Sequence, residues 1–232
     1  MRGSNAFDVF DIVGPIMIGP SSSHTAGAVR IGLLAGQLCN HEPTELAVFF
    51  HGSLARTYSF HKTDVAVVAG VMGIRADDER IKDSINMAQQ KGIRVRFDKI
   101  RLEGAHPSSI LIEMVDHSGN KHVVKSATIG GGNIHIEEIN GYKVDIDGKQ
   151  DCLVGLTEEC NKKQFEDDIK ILLGQDMALV IYEPFKNMCS FKLENGKAID
   201  SESLKLIRNQ KYIKEIHFIK AVVSKGLKGK RF

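Results

Sequence analysis

Four short runs set histidines beside hydroxyl-bearing residues, and each holds parts for a small-molecule site. Gly19-Pro20-Ser21-Ser22-Ser23-His24-Thr25-Ala26-Gly27 is the densest. His51-Gly52-Ser53, His61-Lys62-Thr63-Asp64 and His106-Pro107-Ser108-Ser109 follow it, and Gly130-Gly131-Gly132 is a fifth run where backbone can closely approach a strand or a ligand. Serine and threonine oxygens accept from the free N–H groups of a helix start, and the positive end of the helix dipole suits a carboxylate or phosphate. Histidine titrates near neutrality. These are the parts needed to hold a small anion and move a proton. Asp64 beside His61 is either a partner that raises imidazole basicity and fixes its tautomer or, like Thr63, a helix cap. The simpler reading of the first run is that Ser23 caps a helix while His24 faces solvent, although a cap needs one such residue and this run has five.

The elements that position these runs follow from pattern. Residues 6–16 are apolar enough for a short helix or strand, which Gly14-Pro15 ends. Val29, Ile31, Leu33, Leu34 and Leu38 predict a buried helix, in which Gly27, Gly32 and Gly36 call for close packing against another backbone. Leu46 to Phe50 is a continuous apolar run, the signature of a buried strand, and it delivers His51-Gly52-Ser53 to its C-terminal end, where ligands bind in open α/β arrangements. A helix from Val65 to Gly70 carries the third run. Asp77 or Asp78 caps a helix containing Ile81, Ile85 and Ala88. Strands are predicted over 93–98, 110–115 and 122–129, and Asn140-Gly141 joins a hairpin of 134–139 and 142–146.

Polar Asp147 to Gln150 marks a boundary, giving units of 1–148 and 149–232. The second unit reads as strand 152–156, helix 161–173, strand 178–182, strand 189–193, helix 201–209 and strand 216–223. That βαββαβ order is ferredoxin-like, so the expected class is α+β.

The chain has 232 residues, 42% hydrophobic and 26% charged, and a net charge of +2. Such a balance argues against a nucleic-acid partner, and the basic tail 225–231 reads as a solvated end. No stretch reaches a membrane span and no signal peptide opens the sequence, so no membrane partner and a cytoplasmic location are expected. Cys39, Cys152, Cys160 and Cys189 are scattered and lack metal-site spacing, which predicts free thiols and no metal held by this chain.

Val13 to Thr25, with Gly52-Ser53-Leu54-Ala55, His61-Lys62-Thr63-Asp64, His106-Pro107 and Ile129 to Gly132, resembles the β subunit of bacterial iron-sulfur-dependent L-serine dehydratase. The C-terminal part resembles the ACT domain that ends that subunit. The resemblance implies conversion of L-serine to pyruvate and ammonia, with a 4Fe-4S cluster held by cysteines of a separate α subunit. A monovalent cation is a further candidate cofactor. The first unit is implied to resemble the allosteric substrate-binding domain of some phosphoglycerate dehydrogenases. By position, His24, His61 and His106 become the candidate catalytic histidines. Ser21, Ser22, Ser23, Thr25, Gly52, Ser53, Thr63 and Asp64 become the substrate-binding shell, and the ACT-like unit a candidate dimerisation element. The alternative is a sensing or scaffold subunit without chemistry of its own.

Three departures from the family pattern stand out. Lys62 replaces a glycine, Tyr58-Ser59-Phe60 replaces a glycine-rich segment, and Ser108 stands where the family has asparagine. The ACT-like part also lacks the usual Asp-x-Pro-Gly turn, having Thr157-Glu158-Glu159-Cys160-Asn161 instead.

Overall fold

The computed structural model describes residues 22–158, 162–173, 177–182, 188–195 and 201–222. The run 6–16, Ser21, Cys160, Asn161 and the basic tail lie outside the described residues. A π turn, Ser22–Gly27, leads into helix α1 (Ala28–Gly36). Strand β1 (Glu45–Phe50), the short helix α2 (Leu54–Thr57) and helix α3 (Thr63–Val71) follow. Asp78 then caps a 3-10 turn, Glu79–Asp83, by accepting from the Arg80 N–H at 2.9 Å. Helix α4 (Ser84–Gln90) and strands β2 (Arg94–Lys99), β3 (Ser109–Val115), β4 (Lys121–Gly130), β5 (Asn133–Ile139) and β6 (Tyr142–Ile146) complete the first layer.

These strands form one sheet in the order β2-β1-β3-β4-β5-β6, with β1 parallel to β2 and the other neighbours antiparallel. Side chains alternate across a strand, so one face gathers Leu46, Val48, Phe50, Ile110, Ile112, Met114, Ile134, Ile136 and Val144 into the core with helices α1, α3 and α4. The expectation of a fully buried β1 needs correcting. Ala47 and Phe49 are only half-buried on the opposite face, where the Arg96 guanidinium sits 5.2 Å from the Phe49 ring. An apolar side chain can be sheltered by a neighbour's charged arm without a second layer.

Helices α1 and α3 lie backbone against backbone. A Cβ on Gly32 would stand 2.3 Å from the Val67 carbonyl oxygen, and one on Gly70 would stand 2.1 Å from that of Val29. Of the glycines expected to allow close packing, Gly32 and Gly36 do so. Seven of the nine residues of α3 are buried, so it is a core helix with no solvent face to speak of. The hairpin turn is the predicted one: Asn140 (φ 49) and Gly141 (φ 82) are both left-handed.

The remaining elements are β7 (Cys152–Glu158), α5 (Lys162–Leu173), β8 (Met177–Ile181), β9 (Met188–Asn195), α6 (Ser201–Arg208) and β10 (Ile213–Ile219). They form an antiparallel sheet in the order β10-β7-β9-β8. The protein is thus α+β with two sheets. One face of the second sheet packs Leu153, Phe191 and Leu193 against Phe165, Ile169 and Ile207 of its helices. Its other face sends Cys152, Val154 and Ile219 into the core of the first layer. Polar contacts lock the same seam. Glu215 accepts from Asn140 Nδ2 at 2.5 Å and from the Tyr142 hydroxyl at 3.4 Å, and His217 Nε2 lies 2.6 Å from the same oxygen. Ser190 donates to the Lys143 carbonyl at 2.7 Å, and the Gln37 side chain pairs with both backbone groups of Lys220. No helix among the described residues is long and apolar enough to cross a membrane.

Candidate functional site

The site is built from the points where chain direction changes at one end of the first sheet. Ser22 and Ser23 belong to the π turn that precedes α1, a conformation that recurs at functional positions. Helix α1 has no capping side chain at Gly27, whose dihedrals are already helical (φ −62°, ψ −44°). The expected simple cap is therefore replaced by a continuous wider turn. That turn presents His24, half-buried, to the loop before α3, where Lys62 adopts the left-handed conformation (φ 58°, ψ 31°) and turns the chain into the helix.

The outcome is a stacked pair of imidazoles: the rings of His24 and His61 lie 4.5 Å apart at 29°. Burial, and then the neighbouring His61, lower the pKa of His24. Phe60 stands against His61 at a right angle, with ring centroids 5.1 Å apart. Thr25 and Thr63 are buried beside the histidines in sequence, and neither hydroxyl has a hydrogen-bond partner among the described residues. Asp64 does not serve as the carboxylate of a histidine pair. Its Oδ1 accepts from the Val65 N–H at 2.9 Å, and burial raises its pKa against the opposing effects of that N–H and of Lys62.

A second group forms at the end of β1. Gly52 is left-handed (φ 59), and a Cβ there would lie 2.3 Å from the Pro107 carbonyl oxygen. Ser53 donates its backbone N–H to that carbonyl at 2.8 Å, and its hydroxyl lies 3.2 Å from the hydroxyl of Ser108. His106 is exposed, and its Nδ1 accepts from the Ser108 N–H at 3.1 Å. His51 serves structure: its Nδ1 accepts from the Leu102 N–H at 3.1 Å and pins the approach to His106.

The glycine run ties the two groups together. Thr128 donates its N–H to the Ser108 carbonyl at 3.1 Å, and the Arg30 guanidinium of α1 donates to the Gly132 carbonyl. Gly130, Gly131 and Gly132 all have positive φ, which only glycine adopts in succession without strain. Sequence reasoning gave no site role to Arg30, Thr128 or Phe60, the last of which stood out only as a departure from the family pattern. The Arg30 contact joins residues 102 apart in sequence and leaves no local signal, whereas an aromatic residue next to a candidate histidine could have been given a site role.

Among the described residues no cluster of His, Cys, Asp and Glu could hold a metal ion, and Cys39, Cys152 and Cys189 are buried. Burial, above all, pushes the Cys39 thiol up to about 11. Ser21 lies outside the described residues.

A profile of the family described as serine dehydratase beta chain matches residues 5–139. The probable L-serine dehydratase beta chain of Bacillus subtilis (strain 168) is 45% identical over 149 residues, which cover 63% of this chain and 66% of the relative. The L-serine dehydratase beta chain of Peptoniphilus asaccharolyticus is 38% identical over 144 residues, 62% of this chain and 65% of the relative. In Anaerotignum propionicum an L-serine dehydratase beta chain is 87% identical over 23 residues, 10% of this chain. The first two alignments span just under two thirds of those relatives, and the profile match stops at the end of β5.

Proposed function

The chain belongs to the serine dehydratase beta chain family, and from that premise we propose that it supplies the proton-handling half of a two-chain L-serine dehydratase. The reaction removes the Cα proton and the β-hydroxyl of L-serine to give aminoacrylate, which tautomerises and hydrolyses to pyruvate and ammonia. The single observation that carries this reading is the stacked His24–His61 pair at an open end of the sheet.

Two imidazoles 4.5 Å apart repel when both are protonated, and burial together with that neighbour lowers the pKa of His24. The uncharged ring is then free to take the Cα proton, a task for which a group titrating near neutrality is suited. The buried hydroxyls of Thr25 and Thr63 have no hydrogen-bond partner among the described residues, and because buried polar atoms otherwise find partners they mark a polar shell that is incomplete beside the histidines. Ser53 and Ser108 bring two more hydroxyls, and His106 adds a third imidazole to the same end.

Departure of hydroxide calls for a Lewis acid, the role that a 4Fe-4S cluster bound to the second chain would take. The described residues of this chain do not form a ligand set for such a cluster. Apolar Phe60 and Ile129, 83% and 53% exposed at the same end, offer a surface that the cluster-bearing chain would cover. We further read the first layer as allosteric-substrate-binding-like and the second as a ferredoxin-like, ACT-like unit with its boundary near residue 148. The strand order β10-β7-β9-β8 and the βαββαβ succession support the latter. That unit is also the proposed dimerisation element.

The test is anaerobic co-expression with the second chain and an assay of pyruvate formed from L-serine. Activity that needs both chains, and that falls about 100-fold or more in His61→Ala, is the expected result. Full activity of the second chain alone would make this chain a sensor or scaffold.

A further inference from the structure

We propose that Phe60 is a positioning residue that holds the imidazole of His61 in its working orientation. The proposal rests on reading His61 as the proton-accepting group. A base must keep a nitrogen free for its substrate and still have a fixed ring plane. His51, His106, His122 and His217 each engage a ring nitrogen with a protein group within hydrogen-bond distance. His61 instead meets two rings, stacked on His24 at 4.5 Å and met by Phe60 at 84° and 5.1 Å. Those two rings define its plane, and among the described residues no protein group engages its nitrogens, which leaves them for a ligand.

The loop that carries Phe60 is anchored on both sides. Tyr58 stacks on Phe50 of β1 with centroids 4.3 Å apart, and its carbonyl accepts from the Thr63 N–H at 2.8 Å. The His61 N–H donates to the Thr57 carbonyl at 3.0 Å. Phe60 is thus presented from a fixed backbone although its ring is 83% exposed. An apolar ring left so far in water at the mouth of a site, and touching the histidine there, calls for a functional explanation. Cover by the second chain would account for the exposure alone, and the edge-on contact with His61 adds the orientation of that histidine.

The experiment uses the full chain with isotope-labelled histidine. His61 is assigned by comparison with His61→Gln, and its titration midpoint and tautomer are read by NMR for the parent, Phe60→Leu and Phe60→Tyr. His24, Lys62 and Asp64, the ionisable neighbours along the two segments, stay in place throughout. Phe60→Leu is expected to move the His61 midpoint by about 0.3 pH unit or more and to change its tautomer ratio, while Phe60→Tyr keeps both. In the assembled enzyme Phe60→Leu is expected to lower kcat about 10-fold with KM nearly unchanged, and to shift the pH profile with the midpoint. An unchanged His61 titration in Phe60→Leu overturns the proposal, as does normal kcat with only a weakened hold on the second chain. Normal turnover in His61→Gln would instead remove the site reading, whereas the titration would still decide whether Phe60 orients the ring.

Discussion

His24 and His61 stack ring on ring at 4.5 Å although one belongs to the π turn before α1 and the other to the loop before α3. The contact joins two motifs that the sequence shows only as separate polar runs. It also fixes how the pair responds to acid.

Burial and the neighbouring His61 hold His24 below its ordinary 6.5. The unfolded chain therefore binds this proton more tightly than the folded one. The stability that the neutral ring allows is present above the ordinary value and falls as pH drops through it toward the folded pKa. His24→Gln is expected to flatten the decline of the urea midpoint between about pH 7 and about pH 5. Parallel curves for parent and variant would contradict the assignment.

Lys62 occupies a backbone region that suits glycine, the residue the family resemblance implies there. Lys62→Gly relieves that strain but loosens the unfolded chain, for a net gain of about 0.5–1 kcal/mol by chemical denaturation. Part of the gain is offset at neutral pH, because Lys62 also helps to keep Asp64 ionised.

Gly70→Ala puts a methyl group 2.1 Å from the Val29 carbonyl oxygen, inside a contact between two backbones that cannot yield by rotamer change. The helices must separate, and a loss of about 3 kcal/mol is expected in the unfolding free energy. At Gly92, where a Cβ would meet nothing within 4 Å, the same exchange tests left-handed strain alone, and its cost is expected to be smaller.

Glu215→Ala removes the acceptor shared by Asn140, Tyr142 and His217 at the seam between the sheets. A loss of about 2 kcal/mol is expected at neutral pH. Burial acts to raise the pKa of Glu215, but hydrogen bonds led by His217 and Asn140 outweigh it, so the value is lowered from 4.5. Its contribution is thus present above 4.5 and lost as pH falls through the folded pKa, and the variant's deficit should shrink on acidification. Unfolding monitored across that range provides the check.

Local chemistry explains what could be read in advance. Asn140-Gly141 announces its turn because two successive left-handed residues are needed there, and Gly32 and Gly36 announce a close approach because they weaken a helix that is otherwise apolar. The partner in that approach, Gly70, sits in another helix and could not be paired with them from one sequence. The open face of β1 was hidden for a related reason: Phe49 reads as core, and only the register with β2 reveals that Arg96 shelters it. The π turn replaced the expected cap because Gly27 continues the helix instead of ending a loop. Within the site, the histidines and hydroxyls were visible as types. The pairing of His24 with His61, and the turning of Asp64 to its own neighbour's N–H, depend on tertiary geometry.

Cys152, Val154 and Ile219 belong to the same buried cluster as Leu46 and Ile110. Synthesis and assembly therefore run in opposite senses: the last strand of the second sheet helps to seal the layer that was made first. A nascent chain carries an incompletely covered apolar layer until residue 219 has been added, and in that interval it is a natural client for a chaperone.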